Sequence, residues 1–385
     1  MRTTRLLPLL AATVAAAVLS ACGGGGDPAP PRVAISRVVV AGDSLADAGT
    51  FGFKFTVQNA ADPASGFPIF PQIVASNFGV APQCNFYVFA GGTFAQNSKP
   101  GCTDYAVGGG RIVNPASNGG AAAPTNIQLQ LATAAQVAGG TWSASDLILV
   151  DGGGNDAADL VKAYLGAQAS PSSYVAFLSQ QLDAATINAA LAQPNGAAVA
   201  AGLYMQKLAD TYYAAIKANT LDKGATHVAV LNAPDISLTP QFQQLLAGLA
   251  QKIGATGAAQ TQAAIQQWIQ GFNTELASKV AGDARIALVP FYEDFTDEVK
   301  NPAAYGLSNV TTPACPVTGT DPGTGLPTYT FTTCSSAALD AVPPAGQTAG
   351  WWQTYAFSDS FHPTPFGHRL LAASVSRAIA RAGWI

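Results

Sequence analysis

Four short β-branched runs separated by long alanine-rich stretches of helical period restrict this chain to few folds. The runs are Arg37-Val38-Val39-Val40, Asp146-Leu147-Ile148-Leu149-Val150, Thr226-His227-Val228-Ala229-Val230-Leu231 and Arg285-Ile286-Ala287-Leu288-Val289. Strands that alternate with helices pair in parallel, so the pattern predicts a parallel sheet wrapped by helices. Between the last two runs, Ile265, Trp268, Ile269, Phe272 and Leu276 recur every three or four residues and form one apolar stripe on a helix. This places Trp268 in the core. Pro365 to Ala382 reads as a closing helix with Leu370, Leu371, Val375 and Ile379 on its buried face. The segment 301–347 is rich in Pro, Gly and Thr without periodicity and reads as an ordered insertion.

Composition narrows the function. The chain has 385 residues, 49% of them hydrophobic and 10% charged, too apolar for a disordered chain and long enough for a sizeable core. Its formal charge is −4 with no block of like charge, so a nucleic-acid backbone, which needs clustered Lys and Arg, is excluded as a partner. No obligate protein partner is implied.

At the start of the chain Arg2 and Arg5 precede an apolar run from Leu6 to Leu19, too short to cross a bilayer as a helix. Residues 1–21 read as a signal peptide. The segment Leu19-Ser20-Ala21-Cys22 resembles the lipobox of bacterial lipoproteins, which implies lipidation at Cys22, a membrane anchor and export. Gly after the lipidated Cys implies the outer membrane, facing either side, or release from it. Ordinary signal-peptidase cleavage is the alternative. The Gly/Pro-rich stretch 22–33 is a tether, and 34–385 a single domain. Apart from Cys22, the cysteines are Cys84, Cys102, Cys315 and Cys334, an even set suited to an oxidising compartment. Three pairings are open; the sequence-local one, Cys84 with Cys102 and Cys315 with Cys334, is favoured because each closes a loop-like segment. A metal site is not expected, since no Cys-x-x-Cys spacing exists.

In open parallel α/β sheets ligands bind beyond the carboxyl ends of the strands. After the first run stands Gly42-Asp43-Ser44-Leu45-Ala46-Asp47; after the second, Asp151-Gly152-Gly153-Gly154-Asn155-Asp156; between them, Tyr105-Ala106-Val107-Gly108-Gly109-Gly110; and near the end, Asp359-Ser360-Phe361-His362-Pro363-Thr364. A hydroxyl becomes a nucleophile at neutral pH when a base reaches it and a third group orients that base. Ser44, His362 and Asp359 supply all three. The chain has only three His: His227 sits in an apolar strand pattern and His368 on the closing helix, which leaves His362 in a polar loop. Candidate donors to a developing oxyanion are the Ser44 backbone N–H, a backbone N–H of the Gly108-Gly109 turn, and the Asn155 amide.

These four blocks resemble the SGNH, or GDSL, hydrolase family. Asn232-Ala233-Pro234-Asp235, Phe272-Asn273 with Leu276, and Tyr305-Gly306-Leu307-Ser308 resemble its lipase and phospholipid acyltransferase branch. The resemblance implies a flavodoxin-like three-layer α/β/α sandwich with a central parallel sheet and no cofactor. It also implies Ser44 as nucleophile, His362 as base, Asp359 as orienter, and an oxyanion hole of Ser44, Gly109 and Asn155. Asp104 stands where the family commonly has Asn, and Gly110 where it commonly has Ala. That leaves Gly108 as the alternative to Gly109. The implied substrates are carboxylic esters of lipid, phospholipid or aryl type, with acyl transfer as a variant. An O-acetyl esterase for carbohydrate or peptidoglycan is the rival enzyme, and a silent binding lipoprotein the rival non-enzyme. Gly152 to Ala157 also fits a loose dinucleotide fingerprint, but it lies after the wrong strand. Trp351 and Trp352 are candidates for an acyl-pocket wall, and the loops 51–102 and 301–347 for the pocket as a whole.

Overall fold

A computed structural model of the protein describes residues 33–385. The signal peptide, the tether up to residue 32 and Cys22 lie outside the described residues. In chain order the elements are β1 (Arg37–Ala41), α1 (Phe70–Asn77), β2 (Tyr87–Ala90), β3 (Thr93–Gln96), α2 (Ile127–Val137), β4 (Asp146–Val150), α3 (Gly154–Gly166), α4 (Pro171–Leu178), α5 (Ala184–Leu191), α6 (Gly196–Asn219), β5 (Val228–Leu231), α7 (Pro240–Val280), β6 (Ile286–Val289), α8 (Phe291–Lys300), β7 (Gly319–Thr320), β8 (Pro327–Thr328), α9 (Ser336–Ala341) and α10 (Pro365–Arg381).

Each of the four apolar runs is a strand, and β1, β4, β5 and β6 pair in that order, all parallel. Outside β1 the chain around Asp104 adds one more parallel bridge: Val40 N–H donates to Thr103 at 2.9 Å, and Tyr105 N–H to Val40 at 2.8 Å. The glycine turn that follows is thereby anchored to the sheet edge.

Alternate residues of the strands face opposite layers, as the two-residue period requires. Val39, Ile148, Val150, Val228 and Val230 join a core with α2, α3, α6 and α7. Val38, Val40, Leu147, Leu149, Leu231 and Val289 join a second core with α1 and α10. The result is a three-layer α/β/α sandwich with a central parallel sheet. Ile265, Trp268, Ile269, Phe272 and Leu276 of α7 are all buried in the first core, and the Trp268 ring nitrogen donates to Ala198 O at 3.0 Å.

Capping fixes the helices that border the site. Thr239 caps α7 with Pro240 in its first turn, and Gly254 (φ 80°) interrupts that helix. Thr364 caps α10 by accepting from Gly367 N–H at 3.2 Å, which pins the chain two residues beyond His362. Cys84 bonds Cys102 and Cys315 bonds Cys334. The second disulfide packs in a small core with Val57, Leu339, Trp352 and Tyr355. Trp352 donates to Asp340 at 2.9 Å and Trp351 to Leu339 O at 3.0 Å, so both indoles brace this stapled segment. Neither lines the slot beside Ser44.

Candidate active site

The loops after β1 and β4, the glycine turn and the loop before α10 meet at the carboxyl ends of the strands. There His362 Nε2 lies 2.8 Å from Ser44 Oγ, and His362 Nδ1 lies 2.8 Å from Asp359 Oδ2. Asp359 also folds its own turn, because Oδ1 accepts from Phe361 N–H at 2.8 Å and from His362 N–H at 2.6 Å. A carboxylate that bonds the backbone three residues on carries the imidazole with it, so the spacing itself aims the ring. Burial, the largest effect on Asp359, pushes its pKa up. The charge of His362 and the hydrogen bonds from His362 and Phe361 outweigh that and hold it below the ordinary carboxylate range.

His227 and His368 lie elsewhere. His227 packs edge-on against Trp384. His368 is fully buried and accepts from Phe70 N–H at 3.4 Å; burial pushes its pKa down to about 3, so it stays neutral.

The glycine turn separates the two candidate donors. Gly108 N–H donates to Asp47 Oδ2 at 2.8 Å, while the other oxygen of Asp47 accepts from Gly49 and Thr50. A Cβ on Gly108 would lie 2.2 Å from the Phe55 ring, so that glycine makes room for an aromatic lid. Gly109 has φ +75°, a conformation that favours glycine, and its carbonyl accepts from Arg111, itself paired with Asp159. No partner within the described residues takes the Gly109 N–H or the Ser44 N–H. The Asn155 amide sits at the start of α3 and is oriented by Gly110 O at 3.1 Å and Asp43 Oδ2 at 3.3 Å.

Buried carboxylates that the sequence reading left without a role hold the loops together. Asp43 caps its own turn through Leu45 N–H at 3.0 Å and faces Asp151 across the sheet. Burial raises the pKa of both, and the neighbouring charge of Asp43 raises Asp151 further. Asp156 accepts from Ile112 and Val113 N–H, each at 3.0 Å, and tethers the glycine turn to α3; burial pushes it up to about 7. The only available signal for these roles was an acidic residue beside glycine at a strand end. Asn273 clamps Ala233, accepting from its N–H at 2.8 Å and donating to its carbonyl at 2.9 Å, which accounts for the two motifs together.

Two apolar surfaces flank the serine. Phe55 and Phe331 lie with ring centroids 5.1 and 5.5 Å from the His362 ring. Phe55 packs against Phe51 and Phe53, and Phe51 in turn against Phe89 and Phe94. On the other side a slot runs from Ser44 past Leu231 and Ile236 to Phe291, Phe295 and Leu307. Of the loops 51–102 and 301–347, only Leu307 lines this slot; the rest of its wall comes from α8, α10, the turns after β1, β4 and β5, and the turn before α10. The two loops instead supply one ring each beside His362, Phe55 from the first and Phe331 from the second.

A parallel α/β/α sandwich with a Ser–His–Asp chain of hydrogen bonds at its carboxyl edge defines the class as a serine-hydrolase-like α/β protein. Within that class, the GDSL-like lipase/acylhydrolase sequence pattern matches residues 38–375, and the chain belongs to that family. The chain is 27% identical over 155 residues to the GDSL esterase/lipase EXL2 of Arabidopsis thaliana, an alignment covering 39% of this chain and 35% of the plant protein. It thus spans about a third of that relative's length. A solved phospholipase A1 from Streptomyces albidoflavus aligns over 90% of this chain and 100% of its own at 14% identity, with a TM-score of 0.40.

Proposed function

We propose that the protein is a carboxylic ester hydrolase working through a serine acyl-enzyme. The carrying observation is the unbroken chain Ser44 Oγ, His362 Nε2, His362 Nδ1, Asp359, with 2.8 Å at each contact. Ser44 Oγ attacks the ester carbonyl carbon while its proton passes to His362 Nε2. The alcohol leaves with that proton, and water, or an acceptor alcohol in acyl transfer, attacks the acyl-serine by the reverse route. Asp359 stabilises the imidazolium. Ser44 N–H, Gly109 N–H and the Asn155 amide receive the oxyanion, the amide by exchanging its longer contact to Asp43; Gly109 is preferred over Gly108 because the Gly108 N–H holds the turn to the Asp47 carboxylate. The apolar slot and the phenylalanine cluster favour lipid, phospholipid or aryl esters over the acetylated sugars of the rival reading. A serine-directed fluorophosphonate should label the protein, and p-nitrophenyl esters of several acyl lengths should be hydrolysed. Absence of both would reject the reading.

The Leu19-Ser20-Ala21-Cys22 segment supports an exported, lipid-anchored protein of the outer membrane. Among the described residues no helix is long and apolar enough to cross a membrane. Labelling with radioactive palmitate that is lost in Cys22→Ser tests the anchor. A lipid-free, trimmed chain would overturn it.

A further inference from the structure

Three carboxyl groups besides the Ser–His–Asp chain line the slot that leaves Ser44: Asp43 and Asp151, which hold the strand-end loops, and Glu298, which has no such role. Helix α8 turns Phe291, Phe295, Glu298 and Val299 toward the slot, positions spaced as one helical face. Glu298 therefore stands where an apolar residue would complete the wall. It is 8% exposed, and no hydrogen bond from the described residues reaches its carboxyl. Leu231, Phe357 and Leu370 complete an apolar surround. An unpaired carboxyl in such a site costs free energy unless a ligand pairs with it.

Resting on the ester-hydrolase reading, we propose that Glu298 is a specificity-determining residue that selects esters whose acyl chain carries a hydroxyl group. A hydroxyl can both donate to and accept from a neutral carboxylic acid, and it can still donate to a carboxylate. A plain alkyl chain offers neither and leaves the group unpaired in an occupied, drier slot. A second carboxylate on the substrate would meet a like charge. An ammonium group would have to shed its water among apolar side chains to reach a carboxyl that is mostly protonated near neutrality. Burial first, then Asp294, pushes the Glu298 pKa up to about 8, so near neutrality the group is a hydrogen-bond donor as well as an acceptor.

The test compares p-nitrophenyl octanoate with isomeric hydroxyoctanoates whose hydroxyl moves along the chain. Wild-type protein should take at least one isomer roughly tenfold better in kcat/KM than octanoate, the size of one net hydrogen bond. Glu298→Leu should bring that ratio to about one, and Glu298→Gln, whose amide still donates and accepts, should keep it. Each ratio is taken within one protein, so a general loss of activity cancels. Equal kcat/KM for all isomers in the wild type, a ratio surviving Glu298→Leu, or preference for an ammonium-bearing chain would overturn the proposal. No turnover of octanoate together with no fluorophosphonate labelling would instead overturn the hydrolase reading on which it rests.

Discussion

Gly42 and Asp151 occupy adjoining space so closely that a Cβ on Gly42 would lie 1.6 Å from Asp151 Oδ1. The two residues directly follow the neighbouring parallel strands β1 and β4, and the turn carrying Ser44 begins where they meet. Gly42 N–H is further held by Gln130 at 2.7 Å, so the backbone has little freedom to retreat. Gly42→Ala is expected to cost about 1–3 kcal/mol of stability by overpacking and to displace Ser44. Thermal melts check the first effect and ester turnover the second. In an Asp151→Ala background the same change should cost much less, and an equal cost in both backgrounds would contradict the steric origin.

Ser44→Ala removes a hydroxyl that contacts only the His362 ring, so the fold should persist while turnover falls on the order of 10⁶-fold. Asp359→Asn should lower turnover on the order of 10⁴-fold, because the amide supports the wrong imidazole tautomer. Circular dichroism and p-nitrophenyl ester kinetics, run on both variants, decide the matter. Retained turnover in Ser44→Ala would sink the nucleophile assignment.

Asn155→Ala should reduce kcat by about 10²–10³ with little change in KM, the behaviour of a donor used mainly in the transition state. Asp47→Asn serves as the contrast. It disturbs the carboxylate that holds Gly49, Thr50 and Gly108. Its main effect should therefore be on the melting temperature. A KM-only effect of Asn155→Ala would remove it from the oxyanion hole.

Stability should fall as pH rises from about 4.5 toward 8. The folded-state pKa values of Asp156, about 7, and Glu298, about 8, lie above those of the unfolded chain. Across that window the folded state binds more protons than the unfolded one, and linkage then makes stability decrease with pH. Asp359 acts in the opposite sense: its depressed pKa stabilises the fold above the unfolded value of ~3.9, and that contribution is lost as pH falls below it. Glu298→Gln, which cannot ionise, should gain stability relative to the wild type between about pH 5 and pH 9. Melting curves across that range check this, and a constant difference would show that Glu298 ionises normally.

Much of the candidate site was legible before any fold was known, because the chemistry proposed for it uses scarce residues in marked places. With three histidines in the chain, one in an apolar strand pattern and one on the closing helix, His362 could be selected by elimination, and its spacing from Asp359 suits one turn. Ser44 was marked by its place beside glycine at a strand end. The slot was not legible in the same way. Its walls come from Leu231, Phe295, Leu307 and Leu370, which are far apart in sequence and resemble any other core residue. The two tryptophans before the Asp–His pair were conspicuous in sequence, yet they brace the disulfide-linked segment through Leu339 and Asp340. A large aromatic residue packs wherever space allows, and proximity in sequence to a candidate catalytic motif does not fix which cavity it fills.

The alternation of strand and helix patterns is a local property, so the sequence alone determined the layered sheet, the strand positions and the loops that could carry chemistry. The sequence-local disulfides follow from the same short range. Contacts between distant segments were decided only by tertiary packing: Asp47 taking the Gly108 N–H and leaving Gly109 free, Phe55 closing over Gly108, and Glu298 turning into an apolar slot. These depend on how close two backbones approach and on which polar group is left without a partner. No periodicity or motif encodes those quantities, because they arise only once the layers have packed.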